Sequence, residues 1–279
     1  MVRVRATVIS KAERPRLSRP QWMSGTREEE PMAEIAQSSR PGIPSRSAAR
    51  HADGPLRPVT NPRGWVVYGA SALIVVLLFG LTLARTGWLN SAETSALQWI
   101  SAHHVAWLDA TALAIAWLLS PTQGVVIVVF GGVIVLIVTN NVRRAVLFLV
   151  IGGVGSGACE IVKEIVRRPR PDYGLLAHPL GIEHSFSYPS GHTCLIVGLS
   201  LAVIITARNS RWRPTLIVTG AVATLLVALS RLYLGVHHPS DVIAAILTVT
   251  GTVALVAPLM LNVILPRTAP RPRRARVDH

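Results

Sequence analysis

The twelve residues SRLYLGVHHPSD, from Ser230 to Asp241, set an arginine, two histidines and an aspartate between two long apolar stretches. Asp241 follows His237 by four residues, one helical turn, and Pro239 between them suits the first turn of a helix. A carboxylate at that distance can fix the tautomer of an imidazole and stabilise its cation, leaving the other ring nitrogen as a nucleophile. Spacing alone leaves both His237 and His238 as candidates, with His238 read as structural or peripheral.

Two further stretches carry compatible chemistry. In YPSGH, Ser190 and Gly191 stand at the start of an apolar run, where the unpaired N–H groups and dipole of a helix N-terminus attract an anion, and His192 follows at once. In KEIVRRPRP, Lys163 and Arg170 join Arg231 as cations beside apolar segments, a placement that an anionic ligand would repay. Cys159 and Cys194 fall inside apolar runs and read as small buried hydrophobes. No carboxylate or Cys/His cluster in the sequence has clear metal-ligand spacing.

The elements that must position these groups are membrane helices. Half of the residues are hydrophobic and 15% are charged, and several uncharged runs approach the ~20 residues that cross a bilayer. The net charge of +14 would suggest nucleic acid in a soluble chain, but the arginines crowd into two tails and two short connections. The expected fold is all-α and polytopic, with six transmembrane helices near 65–85, 122–140, 145–166, 190–207, 214–231 and 241–264 within a domain over 64–266. A helix at about 93–119 is expected to lie at the interface, because its apolar part, Ala106 to Leu119, is too short to span. Residues 1–63 and 267–279 read as basic cytoplasmic tails, the first disordered, and MVRVRATVIS lacks the continuous apolar core of a signal peptide.

An even number of spans puts both arginine-rich tails on one side, together with Arg143 and Arg144 and with Arg208, Arg211 and Arg213. The loops bearing the three motifs then face away from the cytoplasm. The loop ahead of PSGH and the loop HHPSD are separated by two crossings, so they open on one face and can share a pocket.

Taken together, Lys163, six residues and Arg170-Pro171; Pro189 to His192; and Ser230-Arg231, five residues, His237, three residues and Asp241 resemble the three-part signature of the type 2 phosphatidic acid phosphatase superfamily, in its bacterial membrane branch. The motifs cover Lys163 to Asp241, and the six-span layout extends the likeness over 65–264. The resemblance implies that His237 attacks phosphorus, Asp241 orients it and His192 protonates the leaving oxygen. It further implies that Lys163, Arg170, Ser190, Gly191 and Arg231 bind the phosphoryl oxygens, and that no metal or other cofactor takes part.

The expected protein is an integral membrane lipid phosphatase of the cell membrane, acting outward on an amphiphilic lipid phosphate, with no nucleic-acid partner. Polyprenyl diphosphates such as the undecaprenyl carrier, phosphatidic acid and phosphatidylglycerophosphate are the implied substrates, the carrier-lipid diphosphate favoured by the outward site. A phosphotransferase of the same fold, a vanadium haloperoxidase and a six-span anion channel or transporter are the rival readings. The channel leaves the His237–Asp241 spacing and PSGH unexplained.

Overall fold

In a computed structural model, residues 56–207 and 210–267 are described; Arg208, most of the expected N-terminal tail and most of the C-terminal tail lie outside them. Among the described residues eight helices carry the fold: α1 (Pro62–Thr86), α2 (Asn90–Ser101), α3 (Ala106–Leu118), α4 (Pro121–Thr139), α5 (Val142–Val166), α6 (Gly191–Thr206), α7 (Arg213–Tyr233) and α8 (Pro239–Leu259). After α8 the chain runs through a π turn, Met260–Ile264, into Leu265–Arg267. No strand occurs among the described residues.

The helix ends follow local chemistry. Asn61 caps α1 by accepting from Gly64 N–H at 3.0 Å, with Pro62 at the first helical position, and Gly87 closes the helix in the left-handed conformation. Asn141 caps α5 in the same way through Arg143 and Arg144 N–H. At the far end Arg167 adopts φ 52°, which breaks α5 just ahead of Pro169 and turns the chain inward.

The expected all-helical, membrane-spanning architecture is found. Five helices (α1, α4, α5, α7, and α8 with its extension to Ile264) are long and apolar enough to cross a bilayer. The sixth expected span, α6, has 16 residues, about 24 Å at 1.5 Å per residue, shorter than a ~30 Å hydrocarbon core. It packs against α5, α7 and α8 at the centre of the bundle, while α1 lies on α8 and α4 on α5. Small residues allow these approaches: a Cβ added to Gly198 would sit 2.9 Å from Gly152 O, and one added to Gly69 2.6 Å from Gly251 O. Buried Leu147, Ile151, Cys159, Cys194, Ala202, Ala245 and Val249 fill the core between α5, α6 and α8. Both cysteines are free.

Two details depart from the sequence reading. The helix expected over 93–119 is two helices, broken at Ala102–Val105, where Val105 turns extended. Within the segment assigned to the N-terminal tail, Val59 is buried and its backbone pairs with Asn262, N–H to Oδ1 at 2.8 Å and C=O from Nδ2 at 3.1 Å.

Candidate active site

Asp241 enters the first turn of α8 with Pro239, as its spacing requires, and is fully buried. Four groups converge on its carboxylate. His238 N–H donates at 2.8 Å, Arg168 Nη1 donates at 2.8 Å, Ser187 Oγ donates through a short hydrogen bond, and His237 Nδ1 lies at 3.5 Å. The turn ahead of α8 is set by Gly235 at φ 70°, a conformation that favours glycine, and it presents the Val236 carbonyl and the His237 ring to Arg170.

His237 is 1% exposed. Its Nε2 lies 3.2 Å from Arg170 Nη1, a group that can only donate, so Nε2 is the unprotonated acceptor and Nδ1–H faces Asp241. This is the tautomer that an Nε2 nucleophile needs. Burial pushes His237 below the usual imidazole value of 6.5, with Arg170 adding to the effect and Asp241 opposing it. Burial also lowers His238, against the pull of Asp241 and Glu93. Both rings therefore stay neutral in the folded chain at neutral pH.

These shifts fix the sign of a pH dependence. Below pH 6.5 the unfolded chain binds protons at these two histidines that the folded chain does not, so their share of stability is present above that pH and lost as pH falls. Thermal unfolding in detergent should thus need less heat as pH drops from about 7.5 to about 5.5. A His237→Asn/His238→Asn variant should show a shallower decline; an unchanged slope would rule these residues out as its source.

Arg170 comes from the loop after α5 and uses all of its donors: Nε to Ser185 O at 2.7 Å, Nη1 to Val236 O at 2.7 Å and to His237, and Nη2 to Ser185 Oγ at 2.9 Å and Glu183 Oε2 at 2.6 Å. Arg231, at the end of α7, is fully buried, donates from Nη2 to Ala112 O at 3.3 Å, and has Nη1 3.7 Å from Glu183 Oε1 with no hydrogen-bond partner. Lys163 is buried and donates to Glu160 at 2.9 Å. A Cβ added at Gly191 would lie 3.7 Å from Lys163 Nζ, so the lysine faces the N-terminus of α6.

Ser190 is the N-cap of α6 and is fully buried, but its side chain makes no capping bond and instead accepts from Thr193 Oγ1 at 3.1 Å. His192 Nε2 donates to Ala116 O of α3 at 3.0 Å, which leaves Nδ1 as the nitrogen that can gain or lose a proton. Lys163, Arg170, Gly191 and His192 line one cavity of about 910 Å³. His237 and Arg231 do not line it but reach residues that do, Arg170 and Glu183 respectively. No group of three or more His, Cys, Asp or Glu side chains among the described residues could hold a metal.

Sequence reading misses three charged residues. Arg168, 1% exposed, donates to Ser240 Oγ at 2.6 Å, Asp241 at 2.8 Å, Asn90 Oδ1 at 3.1 Å and Glu93 at 2.6 Å. Glu93 also accepts from Ser240 N–H at 2.7 Å and lies 3.8 Å from His238 Nδ1. Glu183 bridges Arg170 and Arg231. The only sequence signal for Arg168 is its place in the pair Arg167-Arg168 between Lys163 and Arg170. Glu93 and Glu183 sit in ordinary polar contexts and give none. His104, expected in an interfacial helix, instead stacks on Tyr233 and pairs with Asp109 at 3.3 Å beside the end of α7.

The structure is a bundle of membrane-length helices that gathers three cations, two histidines and a helix N-terminus around one cavity. The likeness carried by its motifs recurs in a family comparison: residues 143–264 match the model of the PAP2 superfamily. Among curated proteins, phosphatidylglycerophosphatase B of Bacillus subtilis is 34% identical over 103 residues, 35% of this chain and 48% of that protein. Decaprenylphosphoryl-5-phosphoribose phosphatase of Mycolicibacterium smegmatis is 34% identical over 96 residues, 32% of this chain and 49% of that protein. Undecaprenyl-diphosphatase of Sulfolobus acidocaldarius is 37% identical over 59 residues, 21% of this chain and 26% of that protein. The chain thus spans about half the length of the first two and less of the third. The fold is shared with the crystal structure of a transmembrane PAP2 type phosphatidylglycerolphosphate phosphatase from Bacillus subtilis, at a TM-score of 0.58, 21% identity, and coverage of 72% of this chain and 97% of that one.

Proposed function

We propose that the chain is a lipid phosphatase that hydrolyses a lipid phosphate monoester or diphosphate through a phosphohistidine, without a metal. The observation that carries this reading is the character of the cavity, cationic at Lys163 and Arg170 and walled elsewhere by Val125, Val128, Val129 and Leu195. An amphiphile fits such a space, its phosphate among the cations and its chain along the apolar wall.

His237 Nε2 would form a bond to phosphorus as the P–O bond to the lipid breaks, and the departing oxygen would take a proton from Nδ1 of His192, which must enter this step as the imidazolium because its Nε2–H is held by Ala116 O. Water would then attack the phosphohistidine, giving up a proton to His192, so that inorganic phosphate leaves and both histidines return to their starting states. Charge spread over the equatorial oxygens would be met by Lys163, Arg170, Arg231 and the N–H groups at Ser190 and Gly191, an arrangement that needs no reorganisation during transfer.

Purified protein in detergent, with a chelator present and water as the only acceptor, should release phosphate from one or more members of a panel containing a polyprenyl diphosphate, phosphatidic acid and phosphatidylglycerophosphate. Release only on addition of a second alcohol would mark a phosphotransferase. Loss of turnover in chelator would remove the metal-free mechanism.

The tail's place in the cavity gives a separate test. Gly157 lines the cavity and a Cβ there meets nothing within 4 Å, so a side chain can leave the backbone at this point into open space. Gly157→Leu should lower kcat/KM for a long-chain lipid phosphate by roughly tenfold or more, since it takes apolar area from the chain, and leave a short aryl phosphate within about twofold. Equal losses on both would place the lipid chain elsewhere.

Six crossings with both termini cytoplasmic would set the site on the outer face, in keeping with Arg143, Arg144, Arg211 and Arg213 at the opposite ends of the helices. A single cysteine at Leu180, with Cys159 and Cys194 replaced, should then react with an impermeant thiol reagent in intact cells. Labelling only after lysis would reverse the orientation.

A further inference from the structure

Glu183 has no part in the chemistry above, yet it occupies the centre of the site. Its Oε2 lies 2.6 Å from Arg170 Nη2 and its Oε1 3.7 Å from Arg231 Nη1. Burial pushes its carboxyl up, but the charges of Arg170, His237, His192 and Arg231 outweigh that and hold it below the usual 4.5. Four groups needed to hold or transfer a phosphoryl group are thus the four that face this carboxylate.

The donors leave little room for another reading. Every N–H of Arg170 is engaged, and four of its five contacts go to Ser185, Val236 and His237. Arg231 is fully buried, and its Nη1 lacks any hydrogen-bond partner while aimed at Glu183. A donor buried without a partner is costly unless a ligand completes it. A phosphoryl oxygen reaches Arg170 and Arg231 only by taking the place of a Glu183 oxygen.

We propose that the Glu183 carboxylate is an exchange ligand of the phosphoryl site: it fills the Arg170–Arg231 fork when the site is empty, yields to the substrate's phosphoryl group, and returns to expel inorganic phosphate. The side chain is suited to this, being 30% exposed on the loop between Leu176 and Phe186 rather than locked in a helix. Three cations and a helix N-terminus would otherwise retain phosphate, the product most like the transferred group. A carboxylate carries less charge than phosphate, so it competes without closing the site to a lipid phosphate. This proposal rests on the phosphatase reading.

The test is Glu183→Gln, which keeps size and removes charge, with Glu183→Asp, too short to reach both arginines, as a second variant. Binding of inorganic phosphate and of vanadate to purified protein is measured by calorimetry, and product inhibition by phosphate is measured in turnover. Glu183→Gln should tighten phosphate and vanadate at least tenfold, lower the phosphate inhibition constant by the same factor, and lower KM while kcat falls as release becomes slow. Glu183→Asp should lie between. Weaker anion binding in both variants would mean that Glu183 holds the arginines in place, and unchanged binding would mean that it does not share their site; either result overturns the proposal. Binding needs no turnover, so tightened binding with no phosphate release from any lipid by the wild type would leave this exchange standing and remove the phosphatase reading.

Discussion

Replacing His237 with alanine is expected to lower kcat/KM by at least four orders of magnitude on every phosphate ester the protein accepts, about 5.5 kcal/mol of transition-state stabilisation. No leaving group removes the need for a nucleophile, and His238 cannot stand in, because its ring lies against Glu93 on the far side of the turn. His192→Ala is expected to behave differently. If its free Nδ1 delivers a proton to the departing oxygen, the loss should be roughly a hundred- to ten-thousandfold on an alkyl monoester, whose alkoxide leaves poorly. On an aryl phosphate, whose leaving group is already a stable anion, it should shrink to less than about tenfold. Measuring both variants on both substrates gives four rates. Equal losses for His192→Ala on the two would make it a phosphoryl-binding residue, and full activity in His237→Ala would overturn the mechanism.

The second large effect lies behind the cavity. Arg168→Ala should cost about 3–5 kcal/mol of stability, because it leaves the Asp241 and Glu93 carboxylates buried with their shared cation gone. Arg168→Lys should recover only part of this, since an ammonium cannot reproduce a fork that reaches both carboxylates from two nitrogens. The buried free thiols Cys159 and Cys194 supply the readout: their reaction with a thiol-specific dye on heating reports exposure of the core. A variant with Arg168→Met, Glu93→Gln and Asp241→Asn should regain much of the lost melting temperature and none of the activity. A single Arg168→Ala variant that melts with the wild type would show that the network carries no such weight.

Apolar length is a local property, which is why the bundle is legible in the sequence: the six expected segments agree with the helices to within three residues at each end, α8 being counted with its extension to Ile264. Equally legible are the residues whose spacing is itself the chemistry, such as the helical turn from His237 to Asp241. Partners joined by tertiary packing are not. Glu93 meets Arg168 across 75 residues, and His192 meets Ala116 across 76. A backbone carbonyl such as Ala116 O leaves no mark in residue type at all. The stretch 93–119 reads as lying on the membrane surface because its apolar part is too short to span, and that length says nothing of the contacts that Glu93 makes with Ser240 and Asp109 with Tyr233.

The pairing of Glu93 also constrains the order in which the protein can be made. Helix α2 leaves the ribosome well before its partners, Arg168 being 75 residues later and Ser240 147 residues later. At a synthesis rate of roughly 5–20 residues per second, the carboxylate waits seconds for the cation and longer for the N–H that completes it. An unpaired carboxylate does not enter hydrocarbon cheaply, so α2 must wait in water or among headgroups while α4 and α5 insert. It can dock only when the end of α5 arrives to receive it. The last helix of the bundle, through Ser240 and Asp241, then closes over a segment synthesised much earlier, which makes the arrival of α8 the step that locks the site.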